Sequence, residues 1–192
     1  MTELCKLARQ CTTDKALFYT PLYHELLKDR RDIKKVLEFG IGYPATMQNT
    51  ISRMGLTEYK TGASLYMWRE YLPLAEIYAL DNKPEIFIHD ERIHSFYCDQ
   101  ASEESFRKVI GQIGADFDLI VEDGSHVPED QIRSVKMLMP ILKTDGIYII
   151  EDVNPTPEFM AQLPANAKLK EFCRADLPEG SNTAAVVVIR ND

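Results

Sequence analysis

The stretch FDLIVEDGSH (117–126), followed after one helix length by GIYIIED (146–152), decides the fold. The two apolar runs, 117–121 and 146–150, are short and rich in β-branched residues, and each ends in acidic residues. Such runs suit strands buried on both faces of a parallel sheet. Between them Pro128 marks a helix start and Glu129 and Asp130 fill its first turn. Ile132, Val135, Leu138, Met139 and Leu142 then recur at three- and four-residue spacing. The pattern predicts a helix over 128–142 and a strand–helix–strand unit whose strands are neighbours. Glu122, Asp123, His126, Glu151 and Asp152 then gather at the carboxyl ends of the two strands, the edge where open α/β sheets bind ligands. Carboxylates crowded there repel one another unless a cation or a proton offsets the charge.

Working outward, the third strand is predicted over 93–98, closing on Asp99, with a helix over 102–114 that Ser102 caps. The first strand, 36–39, runs into Gly40-Ile41-Gly42, and the second, 76–80, closes on Asp81. Residues 87–89 read as a short extended piece. Residues 43–61 have no clear period and read either as a long loop or as a short helix around 47–54. A helix over 65–71 follows, opened by 61–64 and ended by Pro73. Upstream, a weak helix is predicted over 2–10. A second covers roughly 16–28 with Asp14 as its cap, broken near Pro21, which a helix interior tolerates badly. The charged run 28–35 reads as a solvated turn. Downstream, 155–163 reads as a helix, and 169–173 with 184–189 as an antiparallel pair, turned at Pro178, Gly180 and Asn182. Seven strands, five of them alternating with helices, make an α/β three-layer sandwich with a mostly parallel sheet and a C-terminal antiparallel hairpin. The chain is expected to form one domain over 1–192, a helical segment 1–33 followed by the α/β core 34–192.

With 192 residues, 45% of them hydrophobic, the chain can bury a sizeable core. A net charge of -8 argues against nucleic acid or an anionic membrane surface as the main partner and favours a small neutral or cationic ligand. Cys5, Cys11, Cys98 and Cys173 form neither a C-x-x-C pair nor a zinc spacing, so reduced thiols are expected. No apolar run approaches a membrane span and residues 1–14 lack a signal-peptide core, so a soluble cytoplasmic protein is expected.

Gly40-x-Gly42-x-x-Ala45 after a strand is a weak match to a dinucleotide fingerprint. Pro44 sits where the helix should open, no clean helix follows, and Asp81 lies 39 residues past Gly42 instead of about 20. Acids near the ends of three strands, Glu38, Asp81 and Asp99, fit a different ligand. S-adenosylmethionine offers a ribose diol, an adenine amino group and a cationic ammonium and sulfonium, and so wants acceptors. Asp81 would accept from the ribose hydroxyls and Asp99 from the adenine amino group. Gly40 and Gly42 would admit close backbone approach.

These motifs make the chain similar to the class I S-adenosylmethionine-dependent methyltransferases. Among them it resembles the metal-dependent sugar O-methyltransferases of macrolide biosynthesis, with rhamnosyl O-methyltransferases and cephalosporin hydroxylase-like proteins also related. The resemblance runs over most of 13–153. It rests on Thr13-Asp14-Lys15 with Tyr19 to Tyr23, LEFGIG (37–42), GASLYMW (62–68), Asp99-Gln100, EDGSH (122–126) and GIYIIED (146–152). The glycine motif is generic; Asp-Gly-Ser-His with Glu-Asp 28 residues on, from Asp123 to Glu151, is specific. The resemblance implies a Rossmann-like methyltransferase fold and a cofactor held by Glu38, Gly40, Gly42, Ser64, Asp81 and Asp99. It also implies a magnesium ion on Asp123, Glu151 and Asp152, with His126 as general base. It implies a small, sugar-containing acceptor and a possible homo-oligomer. Tyr43 and Thr61 stand where the family usually has glycine, 43–61 is longer than in relatives, and large members carry a further N-terminal domain.

The chemistry suits these residue types. The methyl donor is already activated, so the protein must place and deprotonate a hydroxyl that is a poor acid. A hard cation on oxygen ligands can hold two adjacent hydroxyls, and carboxylates without Cys or His ligands favour magnesium over zinc. His126, three residues past Asp123, can take the proton. Ser125 is expected to shape the turn or cap the helix, and Glu122 to point away from the metal or support the turn. His24, His89 and His94 have no constellation, and Trp68 reads as helix packing. A catechol-type acceptor uses the same metal logic. A nicotinamide-dependent oxidoreductase and a non-catalytic cofactor-binding module are the alternatives from other classes.

Overall fold

The protein is described here from a computed structural model that covers residues 1–173 and 183–191, with the turn bearing Pro178, Gly180 and Asn182 outside them. Two compact units divide at the third long strand, Met1–Tyr97 and Cys98–Asp192.

The first unit begins with α1 (Glu3–Gln10), capped by Thr2, whose hydroxyl accepts from the Cys5 N–H. Next come α2 (Lys15–Phe18) and α3 (Thr20–Leu27). The break between them falls at Tyr19, just ahead of Pro21, because Pro21 fits the first turn of α3, where no intrahelical N–H is needed. Strand β1 (Lys35–Phe39) leads to α4 (Gln48–Met54), so the shorter-helix alternative for 43–61 is the one formed; α4 buries no residue. Helix α5 (Ala63–Tyr71) buries Leu65, Met67, Trp68 and Tyr71. Strands β2 (Glu76–Asp81), β3 (His89–Asp90) and β4 (Ile93–Tyr97) complete the unit, in the order β3-β4-β2-β1. β1 with β2 and β2 with β4 are parallel; the two-residue β3, an eighth strand beyond the seven expected, runs antiparallel to β4.

The second unit holds α6 (Glu103–Ile113), whose Ser102 hydroxyl accepts from the Ser105 N–H as the capping pattern predicts. Strand β5 (Phe117–Glu122), buried throughout, is followed by α7 (Pro128–Leu138) and β6 (Leu142–Ile150), and β5 and β6 pair in parallel. The strand–helix–strand unit therefore forms as expected. Its helix stops four residues early because Pro140 cannot donate a backbone hydrogen bond; a 3₁₀ turn at Met139–Ile141 takes over. After α8 (Pro157–Met160), β7 (Lys168–Cys173) and β8 (Thr183–Arg190) pair antiparallel, and β8 also runs antiparallel to β6. The unit's strand order is β5-β6-β8-β7. Ile120, Val121, Ile149, Ile150, Val186 and Val187 are fully buried, which explains uninterrupted apolar strands without inside–outside alternation.

Candidate active site

The last residue of β5 is Glu122 and the last of β6 is Ile150; their partnered ends release two loops side by side. The first carries Asp123 and His126, the second Asp152. One ligand atom from each of these three lies within 4.8 Å of the others. His126 Nε2 stands 3.1 Å from Asp123 Oδ1 and 3.8 Å from Asp152 Oδ2. The backbone is forced to bring them together. His126 has φ +57° and Asp152 φ +50°, two of only five non-glycine residues with positive φ among those described. Such conformations cost energy and concentrate where a site requires them.

The electrostatics follow from the contacts. The hydrogen bond to Asp123 raises the His126 pKa to about 9, helped by the charges of Asp123, Asp152 and Glu122 against the opposing effect of burial. Without a further cation His126 is therefore an imidazolium at neutral pH. Beneath it, Glu122 is fully buried. Burial pushes its pKa up to about 7, although Gln100 Nε2, at 2.6 Å, and the Gly124 N–H, at 3.2 Å, donate to Oε1. Among the described residues the second oxygen, Oε2, has no hydrogen-bond partner, and neither do the buried Tyr148 hydroxyl and Gln131 Oε1. Cys98, buried at the start of the unit, has its thiol pushed up to about 12 by burial, which disfavours the thiolate.

Glu122 yields the first testable expectation. Its folded-state pKa is raised, so the folded chain holds this proton more tightly than the unfolded chain does. Stability is full below about pH 4.5, falls as the pH rises to about 7, and stays reduced above. Glu122→Gln, measured by thermal unfolding in chelator, is expected to stabilise on the order of 3 kcal/mol at pH 8 and to change little at pH 4. An equal effect at both pH values would show that the buried carboxyl does not titrate this way.

In the first unit the glycine loop is held from two sides. Asp81 Oδ2 accepts from the Ile41 N–H at 3.0 Å and Oδ1 from the Lys83 N–H at 3.1 Å, while the Gly62 N–H donates to the Gly42 carbonyl at 3.1 Å. Gly42 has φ +64°, a conformation that favours glycine, and a Cβ there would lie 2.9 Å from the Tyr59 hydroxyl, which would have to shift. Glu38 is fully buried. Ser64 Oγ donates to Oε1 at 2.5 Å, Trp68 Nε1 donates to Oε2, and Lys15 Nζ lies 3.5 Å away. In the second unit Asp99 Oδ1 accepts from the Ala101 N–H at 3.0 Å, forming a turn at the end of the strand.

No family model matches the sequence. Over 155 residues the chain is 34% identical to an 8-demethyl-8-(2-methoxy-α-L-rhamnosyl)-tetracenomycin-C 3′-O-methyltransferase of Streptomyces olivaceus, a match covering 79% of this chain and 37% of that protein. It is 30% identical over 159 residues to mycinamicin VI 2″-O-methyltransferase of Micromonospora griseorubida, covering 79% of this chain and 36% of that one. The chain is a homologue of sugar O-methyltransferases. It spans about a third of the length of these relatives. Among solved structures, the MycE methyltransferase of the mycinamycin pathway, determined with Mg and SAH, superposes with a TM-score of 0.69 at 23% identity, covering 100% of this chain and 56% of that one. The fold is thus the Rossmann-like α/β methyltransferase fold.

Within this homologue of the sugar O-methyltransferases, the expected metal and base residues separate. Asp123, Asp152 and His126 come together, whereas Glu151 is 2% exposed and lies outside the cluster; its carbonyl accepts from Gln131 Nε2 at 2.9 Å. His24 and His94 serve local contacts, with Tyr71 and Glu76, and Trp68 is indeed packed in the helix core. A cavity of about 550 Å³ in the first unit, lined by Cys11, Tyr59, Lys60, Tyr66, Arg69 and Glu70 among others, shares no residue with the cluster. Four participants had not been singled out from the sequence for a role: Lys15, Gln100, Gln131 and Ser134, all buried. For the last two a signal exists. Residues 131, 134, 135 and 138 share one face of α7, so Gln131 and Ser134 are polar residues on the apolar face. No helix among the described residues is long and apolar enough to cross a membrane.

Proposed function

We propose that the chain carries the catalytic residues of an S-adenosylmethionine-dependent, magnesium-assisted O-methyltransferase that acts on a hydroxyl of a sugar or glycosylated small molecule. The observation that carries this reading is the Asp123–His126–Asp152 cluster at the ends of two neighbouring parallel strands. The donor set fits a divalent cation: two carboxylates beside one imidazole with no thiolate, and Asp152 open to solvent; the two carboxylates favour a hard ion. Asp123 and Asp152 would hold the ion, and Glu151, the buried residue just before Asp152, is the third candidate of the sequence pattern. When bound, a divalent ion supplies charge stabilisation for a deprotonated hydroxyl, and S-adenosylmethionine supplies an activated methyl group. The chain's own part is to orient the acceptor and to take its proton at His126 Nε2. That atom is available only when Asp123 and Asp152 are neutralised, because their charge is what holds His126 protonated.

For the cofactor, the glycine loop 40–42 with Asp81, together with Asp99, Ser64 and Glu38, are the proposed contacts. Asp81 and Asp99 keep acceptor capacity beyond the backbone donors they already receive. The full burial of Glu38 favours an indirect part for it, holding Ser64 and Trp68 behind the loop. The sugar acceptor is supported by the names of the relatives, which place the methyl group on rhamnosyl and macrolide acceptors. We take residues 1–192 as one catalytic domain, since a single solved methyltransferase matches along the whole chain. The unpaired thiols Cys5, Cys11 and Cys98 favour a reducing, cytoplasmic site of action.

Calorimetry with S-adenosylmethionine, its demethylated product and NAD tests the reading, followed by methyl transfer to a rhamnosylated acceptor with magnesium or chelator. S-adenosylmethionine and its product are expected to bind, and turnover to need magnesium. Binding of NAD alone would overturn the proposal, and full activity in chelator would remove the metal from it.

A further inference from the structure

Gln100 is 5% exposed and follows Asp99 directly after the third long strand, yet its side chain reaches the loop between β5 and α7. Its Oε1 accepts from the Ser125 N–H at 2.8 Å. Its Nε2 donates to Glu122 Oε1 at 2.6 Å and to Ser134 Oγ at 3.0 Å. The carboxamide therefore grips the loop at 122 and at 125, on either side of Asp123 and immediately before His126. Its backbone is anchored in turn: Arg133 Nη1 donates to the Gln100 carbonyl at 3.0 Å and to Asp130 Oδ1 at 2.5 Å. Ser125, once placed, donates through Oγ to Asp130 Oδ2 at 2.9 Å and accepts there from the Val127 N–H at 3.2 Å, which continues the turn into α7.

We infer that Gln100 is the positioning residue that sets the Asp123–His126 loop for cation binding, by bracketing that loop between the Ser125 N–H and the Glu122 carboxyl. The inference rests on the proposed metal-assisted function. A primary amide is what the place demands, since it must accept at one atom and donate twice at the other. Glutamate keeps the acceptor but loses both donors and sets a second carboxyl against Glu122. Leucine loses everything and leaves the Ser125 N–H and the Ser134 hydroxyl short of a partner. Asparagine is a methylene too short to span both ends. The loop needs such a restraint because His126 sits in the left-handed region at φ +57°, which the chain would otherwise relax. Partners that orient metal ligands typically change metal affinity about 10- to 100-fold when removed.

The test uses the full chain and magnesium alone as the probe. Gln100→Leu is expected to weaken magnesium binding, by calorimetry, about 10- to 100-fold. The KM for S-adenosylmethionine should stay within about twofold. Raising magnesium should restore part of the lost turnover, a rescue that a general loss of structure would not show. Independently of any metal, the Ser125 amide should exchange its hydrogen about 10-fold faster in the variant. Gln100→Glu, which keeps volume and the Oε1 acceptor for Ser125 but loses the donations to Glu122 and Ser134, carries the magnesium measurement if Gln100→Leu does not fold. Magnesium affinity equal to wild type in a folded variant overturns the inference, and so does unchanged Ser125 exchange in Gln100→Leu. If the wild-type chain binds no magnesium, the proposed function fails while Ser125 exchange still decides whether Gln100 sets the loop.

Discussion

His126→Ala is expected to lower kcat for methyl transfer about 10²- to 10⁴-fold, the usual contribution of a positioned general base, while S-adenosylmethionine still binds. The effect is large because no second histidine lies in the cluster, where the other members are carboxylates that would be occupied by the cation. A companion measurement follows from the same geometry. In chelator the His126 ring is expected to titrate near pH 9, held there first by Asp123 and then by Asp152. With saturating magnesium its pKa should fall towards the ordinary histidine range of about 6.5, because the carboxylates then face a stronger positive charge. The pH–rate profile of kcat should rise through that lower pKa. The sign for stability is the one that holds for Glu122, because both groups have a raised folded pKa. A histidine whose folded pKa is raised contributes stability that is complete below about pH 6.5 and disappears as the pH rises through about 9. In chelator, His126→Ala should therefore lower the thermal midpoint at pH 6 and not at pH 10. The shift should be small, since the side chain is 42% exposed and solvent screens the pair. Normal turnover in His126→Ala would reduce the residue to a structural part of the turn.

Glu38→Ala is expected to cost about 3–5 kcal/mol of stability, the usual result of removing one partner from a buried ion pair. For a chain of this size that corresponds to a fall in thermal midpoint of about 10 °C or more. Glu38 is 0% exposed and Lys15 1%, so neither charge can turn to water when the other is deleted. The substitution also strips acceptors from the Ser64 hydroxyl and the Trp68 indole N–H, both buried in α5. The loss should reach the glycine loop, because Glu38 is the residue before Phe39 and Gly40. Cofactor affinity should weaken along with stability, and Glu38→Gln should recover part of both by keeping one acceptor for Ser64 or Trp68. A Glu38→Ala protein as stable as wild type would mean that the buried pair contributes nothing net. Unchanged cofactor binding in a destabilised variant would confine Glu38 to the fold.

The elements were legible wherever local rules and tertiary packing agree. Ser102 capped its helix, the apolar runs at 117 and 146 became neighbouring parallel strands, and the last two strands paired antiparallel. Misplaced boundaries trace to single residues. Pro140 ended α7 early, and Pro21 shifted the break between α2 and α3 to Tyr19. The candidate site was legible as residue types at strand ends, since acids and a histidine directly after apolar strands have few structural reasons to gather there. The supporting residues were not. Gln100 and Lys15 act on groups 22 and 23 residues away, Glu122 and Glu38, and spacing along the chain carries no sign of such contacts.

The sequence by itself determined that two buried strands end side by side, and that Asp123, His126, Glu151 and Asp152 are delivered there. Tertiary structure decided which of them face one another. Glu151 and Asp152 are consecutive, and where the chain leaves β6, Glu151 is turned into the interior while Asp152, at φ +50°, is turned out beside His126. Asp152 stands in the left-handed region beyond the end of the strand, so strand alternation does not fix its direction, and the packing of the loops selects which acid faces outward.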